Sequence, residues 1–404
     1  MALWFSGIRR ALSWNPYFSE RSARSTRSLK LPDLFAPLGE GASSEFEINR
    51  YCKKVTDASE AWFREQCQLS TASASSEKGE AKVMDSVDLK AGLLAAICFP
   101  AVDFGQLRLC ADFLNWMLHF EYQLAFLDTA AARKLVQESL QISMDLNSPV
   151  GEGTGRALRS ILIRLQSKKN FFQRFSETLQ AYLHVLDQQL QDRQQHVVPD
   201  IESYIALQRE GGWPRLLFLL LECSQGLSTS EINWSKSRGL VQLTEAAADV
   251  LMYSTDIVAR TGCVKHLSQT SAHNTVTLLA RQIQQQNQHQ QQPGRPRRDS
   301  SSATADLPLA VTQAGELYSA RFREFLALKS SLLAPRKSLD FSRALGRSSL
   351  AADVKDEDAA AYARGLARCI AGVLFWSFES ERYFAHQGPA VRLHRTVELS
   401  MIRS

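Results

Sequence analysis

FPAVDFGQLRLCADFLNWMLHFEYQLAFLD, residues 99–128, is the stretch on which the fold class turns. Its apolar side chains return every three or four residues instead of alternating, so the spacing predicts a helix over 106–127. Working outward, the same period predicts helices over 88–98, 155–167, 171–192, 199–210 and 214–224, then 240–263, 272–286, 312–333 and 357–384. Strand signals are scarce and the sustained heptads of a coiled coil are absent. Many helices with short connections describe a large all-α domain. The greasiest run, Leu216 to Leu221, lies between Arg215 and Glu222 and reads as a buried helix segment. It falls far short of the roughly eighteen apolar residues a membrane span requires.

The 404 residues are 45% hydrophobic and 22% charged, which is enough apolar material for a sizeable core. The net charge of +5 has one source. Residues 1–30 carry Arg9, Arg10, Arg21, Arg24, Arg27 and Lys30 against Glu20 alone. Residues 1–28 read as a basic, flexible extension, with an organelle-targeting segment as the alternative. No basic face within a recognisable module argues for nucleic acid. The seven cysteines are scattered without paired spacing, which excludes a zinc site or a disulfide framework and makes a reduced, cytoplasmic protein the default. Residues 69–82 read as a polar surface loop. Residues 282–306 are Gln-rich and then Pro/Arg/Ser-rich, a composition that reads as a disordered insertion. Residues 387–404 read as a C-terminal tail.

Four stretches, in order, resemble the fungal sesquiterpene synthases of the class I terpene cyclase family. They are LKLPDLFAP at 29–37, the stretch 99–128, and SYIALQREGGWP at 203–214 continuing through YSTDIVARTG at 253–262 to HN at 273–274; the last is WSFESERYF at 376–384. Together they extend over 29–386. The resemblance implies a single helical domain around an apolar cavity. It also implies a prenyl diphosphate substrate whose leaving group is neutralised by Mg²⁺ and arginines, with aromatic faces stabilising a carbocation.

The metal half of that pattern is thin. The first, second and fifth positions of the family's aspartate-rich motif correspond to Glu121, Tyr122 and Ala125, where one carboxylate remains. The second motif, a stripe at i, i+4 and i+8, corresponds to Thr255, Ala259 and Cys263: a hydroxyl, no ligand atom, and a sulfur poorly suited to magnesium. Asp256 matches an acidic residue that points off this stripe. Glu245 and Asp249, one turn apart, offer an alternative pair for a displaced ion, against the plainer reading of a solvated helix face.

The anion half is fuller. The resemblance makes Arg209 a diphosphate sensor, Arg382 and Tyr383 the terminal pair that hydrogen-bonds diphosphate, and Lys265 a further basic residue. Trp213 stands where the family places a backbone-carbonyl effector, and Pro214 keeps a helix break there. Trp116, Phe120, Tyr122, Trp213 and Phe378 are the aromatics expected to line the cavity. No HExxH, GxSxG or phosphate-cradling glycine loop offers a different chemistry.

Three readings follow from the resemblance. The first is a terpene cyclase-like enzyme of terpenoid secondary metabolism, acting on a farnesyl-type diphosphate, or on an intermediate supplied by a partner cyclase, with non-standard metal chemistry. The second is a non-catalytic relative binding a prenyl ligand or a partner protein. The third is an ordinary Mg²⁺-dependent cyclase with relocated ligands. A homodimer is the assembly the family suggests.

Overall fold

The computed structural model describes residues 28–39, 47–67, 89–150, 153–227, 238–262, 272–289, 303–334 and 350–398. The basic head before Ser28, the loop at 69–82 and Lys265 lie outside these residues, as does Cys263.

The described chain is helical almost throughout: α1 (Cys52–Gln66), α2 (Ala91–Cys98), α3 (Phe104–Phe126), α4 (Thr129–Met144), α5 (Thr154–Leu165), α6 (Lys169–Gln195), α7 (Ile201–Gly211), α8 (Pro214–Gln225), α9 (Arg238–Thr261), α10 (Thr275–His289), α11 (Ala303–Leu333) and α12 (Leu350–Glu379), then the short α13 (Glu381–Phe384) and α14 (Gly388–His394). None of these helices is long and apolar enough to cross a membrane.

Local chemistry fixes several starts. Asp103, Asp128 and Asp200 each accept a hydrogen bond from a main-chain N–H three residues on, at 2.9, 2.8 and 2.7 Å, capping α3, α4 and α7. Helix α3 has no wide polar face, and Phe113, Leu114, Trp116 and Phe120 along it are all 0% exposed. It is the central rod, with α1, α2, α5 and α8 packed around it. Burying its side chains contributes roughly 1.5–3 kcal/mol for each large apolar group.

Three expected boundaries differ. Helix α10 continues through Gln282 to His289, and α11 begins at Ala303, so both margins of the expected 282–306 insertion are helical; residues 290–302 lie outside the described chain. Pro308 lies inside α11, where it has no main-chain N–H to give to the preceding turn. The helix expected over 357–384 breaks at Ser380, whose backbone is extended, and Ala385 ends α13 with a φ of 48°.

The last segment is not a free tail. Strand β2 (Thr396–Glu398) pairs antiparallel with β1 (Ser28–Lys30), Leu29 opposite Val397. The entry segment then lies along α11, where the Tyr318 hydroxyl donates to Leu34 O at 2.6 Å. Gly315 leaves room for Pro32, because a Cβ there would sit 2.6 Å from the proline ring.

Candidate functional site

A cavity of about 230 Å³ opens between α3, α6, α7 and α9, its wall continued by His273 and Asn274 just before α10 and by α13. Helix α3 presents Glu121 and Ala125 to it, and α9 presents Thr255 and Ala259. Each pair is one helical turn apart and so lies on one face. The two stripes singled out in the sequence therefore do face each other across one space, joined there by Trp213, Arg382 and Tyr383.

Chain breaks aim the remaining groups. Helix α7 stops at Gly211, Gly212 is extended, and α8 restarts at Pro214, which leaves Gly212 and Trp213 at the wall. Gly211 lies so close to α6 that a Cβ there would meet Ala181 O at 2.5 Å. On the opposite side, the break at Ser380 turns α13 inward and buries Arg382, 4% exposed, and Tyr383, 6% exposed.

The polar centre is an ion pair. The Arg382 guanidinium donates from Nη2 to Glu121 Oε2 at 2.5 Å and from Nη1 to Leu118 O at 3.3 Å. The Tyr182 hydroxyl donates to the other oxygen, Glu121 Oε1, at 2.7 Å. Burial works against the Arg382 cation, but the neighbouring Tyr383, Glu121 and Tyr182 hold it above its ordinary range. Burial, with Glu121 alongside, pushes the Tyr182 phenol well up. It stays a neutral donor.

A second network is centred on Asp256 of α9. Asp256 accepts from the Tyr204 hydroxyl at 3.0 and 3.2 Å and from Thr275 N and Oγ1 at 2.8 and 2.7 Å. These donors favour the carboxylate, yet burial outweighs them and raises its pKa to about 6. Next to it, His273 Nε2 lies 2.9 Å from Asp192 Oδ2. Tyr204, Asp256, His273 and Asn274 all line the cavity.

Arg209, the expected diphosphate sensor, does not line it; its neighbour Gln208 does. The Arg209 guanidinium turns to the other side of α7 and forks onto Asp249, Nε to Oδ1 at 2.9 Å and Nη2 to Oδ2 at 2.6 Å. Arg321 donates to the same carboxylate at 2.7 Å. That triad also removes Asp249 from the alternative metal pair. The expected aromatic lining is likewise core, apart from Trp213. Trp116 stacks on Phe120 and donates its Nε1 to Thr154 O at 3.0 Å, Tyr122 packs on Phe126, and Phe378 stacks on Phe384.

The donor set does not fit a cluster of magnesium ions. Glu121 is engaged by Arg382 and Tyr182, and the Thr255 hydroxyl donates within its own helix, 2.8 Å from Leu251 O. Ala125 and Ala259 have no ligand atom. No group of three His, Cys, Asp or Glu among the described residues is placed to hold a metal ion. Mg²⁺ prefers several oxygen ligands in near-octahedral geometry, and these residues do not supply them.

Sequence reasoning missed Tyr182, Arg193, the Tyr204–Asp256 contact and the His273–Asp192 contact. The last two join residues 52 and 81 positions apart, so no local spacing signals them.

An all-α chain with two facing helix stripes and an inward Arg-Tyr pair has the class I terpene synthase fold. Germacradien-4-ol synthase from Streptomyces citricolor superposes with a TM-score of 0.55 at 17% identity, covering 82% of this chain and 95% of that one. The family model described as terpene synthase family 2, C-terminal metal binding, matches residues 112–289. Sesquiterpene synthase 1 of Postia placenta is 27% identical over 94% of this chain and 98% of its own, and sesquiterpene synthase Agr1 of Cyclocybe aegerita 25% identical over 94% and 95%. The chain is a terpene synthase-fold relative of the fungal sesquiterpene synthases.

Proposed function

We propose that the protein is a terpene cyclase-like enzyme of terpenoid secondary metabolism that receives a farnesyl-type diphosphate, or a terpenoid intermediate, in the α3–α9 cavity without a three-magnesium cluster. One observation carries this reading. A charged arginine, Arg382, is buried on the wall of a cavity whose mixed lining also presents a set of apolar side chains, Leu124, Val185, Leu190 and Met252. A buried guanidinium beside apolar walls suits a ligand with an anionic head and a hydrocarbon body. The sesquiterpene synthases among the relatives support farnesyl diphosphate as the substrate to try first.

The test is incubation of the full chain with farnesyl diphosphate, with and without Mg²⁺, following diphosphate release and volatile products, alongside binding of farnesyl thiodiphosphate. Slow or metal-independent turnover fits the reading, and so does tight binding lost in Arg382→Ala. Fast turnover strictly dependent on Mg²⁺ would refute the argument about the metal ligands. Binding without turnover would favour the non-catalytic reading, which the engagement of Glu121 by Arg382 independently supports. An intermediate passed on by a partner cyclase is tested by adding the terpenoid alcohol or hydrocarbon products of such an enzyme.

A further inference from the structure

Two guanidinium groups on the cavity wall keep a buried nitrogen that makes no hydrogen bond within the protein: Nε of Arg382 and Nη1 of Arg193. Arg193 stands in the last turn of α6, one turn beyond the cavity residue Gln189. A charged donor withdrawn from water without a partner is costly, by roughly 1–3 kcal/mol or more, and two beside one cavity point to an anion that both would bind. Arg209 cannot be that second cation, since Asp249 holds both of its forks.

The acids on the same wall need an account. Asp256 takes its hydrogen bonds from neutral donors, and Glu121 is paired with Arg382. Glu121 therefore already occupies, on Arg382, the position an entering anion would take. A carboxylate carries one negative charge, whereas a diphosphate ester carries about three and has more acceptor oxygens for a forked donor.

We propose that Arg193 and Arg382 clamp the diphosphate of a prenyl diphosphate without a divalent cation, the diphosphate replacing Glu121 on Arg382. Glu121 is then a built-in competitor, held in place by the Tyr182 hydroxyl, and its removal strengthens binding. The proposal rests on the function proposed above and adds to it a residue, Arg193, and an exchange.

Calorimetric titration of the full chain with inorganic diphosphate and with farnesyl thiodiphosphate, in EDTA and then in excess Mg²⁺, tests it. Binding is expected in EDTA. Arg193→Gln should weaken it roughly tenfold or more, with partial recovery in Arg193→Lys, and Glu121→Gln should tighten it several-fold. Tyr182→Phe, which leaves Glu121 less firmly held, should tighten it in the same direction and serves if Glu121→Gln does not fold. Circular dichroism melts establish that each variant is native. Binding that appears only with Mg²⁺ would overturn the clamp and leave the proposed substrate standing, as would equal affinity in native Arg193→Gln and wild type. No binding of farnesyl thiodiphosphate under either condition would overturn both.

Discussion

Asp249→Asn puts the structural assignment of Arg209 at stake. The Asp249 carboxylate is 1% exposed and accepts three charged hydrogen bonds, two from Arg209 and one from Arg321. Removing a buried partner of this kind costs roughly 3–5 kcal/mol when the remaining charge is stranded. Here the stranding is partial. The Arg209 side chain is 42% exposed and rehydrates, and Arg321 keeps Glu324 at 2.6 Å. Asparagine also keeps one acceptor oxygen. The expected loss is therefore about 2–3 kcal/mol. Arg209→Met should cost about 1–2 kcal/mol, because buried Asp249 loses two donors but keeps Arg321. Urea denaturation, read as a lowered midpoint at unchanged slope, measures both. Arg209→Met should also leave affinity for inorganic diphosphate within about twofold, since the side chain is outside the cavity. If it abolished that binding with stability intact, Arg209 would be working in the cavity and the placement would be wrong.

Three further outcomes are expected. Asp256 binds its proton more tightly folded, at about 6, than unfolded near 3.8, so the stability it confers is complete below pH 3.8 and is lost as pH rises through 6. The loss of about 2–3 kcal/mol between pH 4 and 7 should vanish in Asp256→Asn, and parallel pH profiles for the two proteins would contradict it. Gly388→Ala would place a Cβ 2.1 Å from Phe378 O, a main-chain atom that cannot swing away. A cost of about 1–3 kcal/mol in thermal unfolding, together with weaker anion binding as α13 shifts, is the expected result. Trp376→Phe loses the buried bond from Nε1 to Leu89 O at 2.7 Å, and should lower stability by about 1–2 kcal/mol without altering the cavity's anion affinity.

The all-α class was legible because helix period is a local property, and α3 falls within a residue or two of the 106–127 expected from spacing. The break at 380–385 was not, since no Gly or Pro falls within those residues; the close packing of Gly388 on Phe378 that accompanies it shows only in the fold. The stripes at Glu121/Ala125 and Thr255/Ala259 were legible as faces, and they do meet. What the sequence could not convey was orientation across the chain. Arg209 and Gln208 differ by about 100° around α7, and only the presence of Asp249 forty residues away decides which one turns from the cavity. The aromatic positions were misread for a related reason. Helical spacing places Trp116, Phe120 and Tyr122 on α3, but a rod buried on nearly every side has several apolar neighbours, and just one of them is the cavity.

The β1–β2 ribbon sets a temporal order. Leu29 gains its partner Val397 only once a segment more than 360 positions further along has been made, and such distant pairing comes late because its loop-closure entropy is large. The same last stretch carries Arg382 and Tyr383 into the wall. During synthesis the helices before α12 can therefore gather around α3 while the Arg382 side of the cavity wall is still missing, so that the cavity is completed only when α13 arrives.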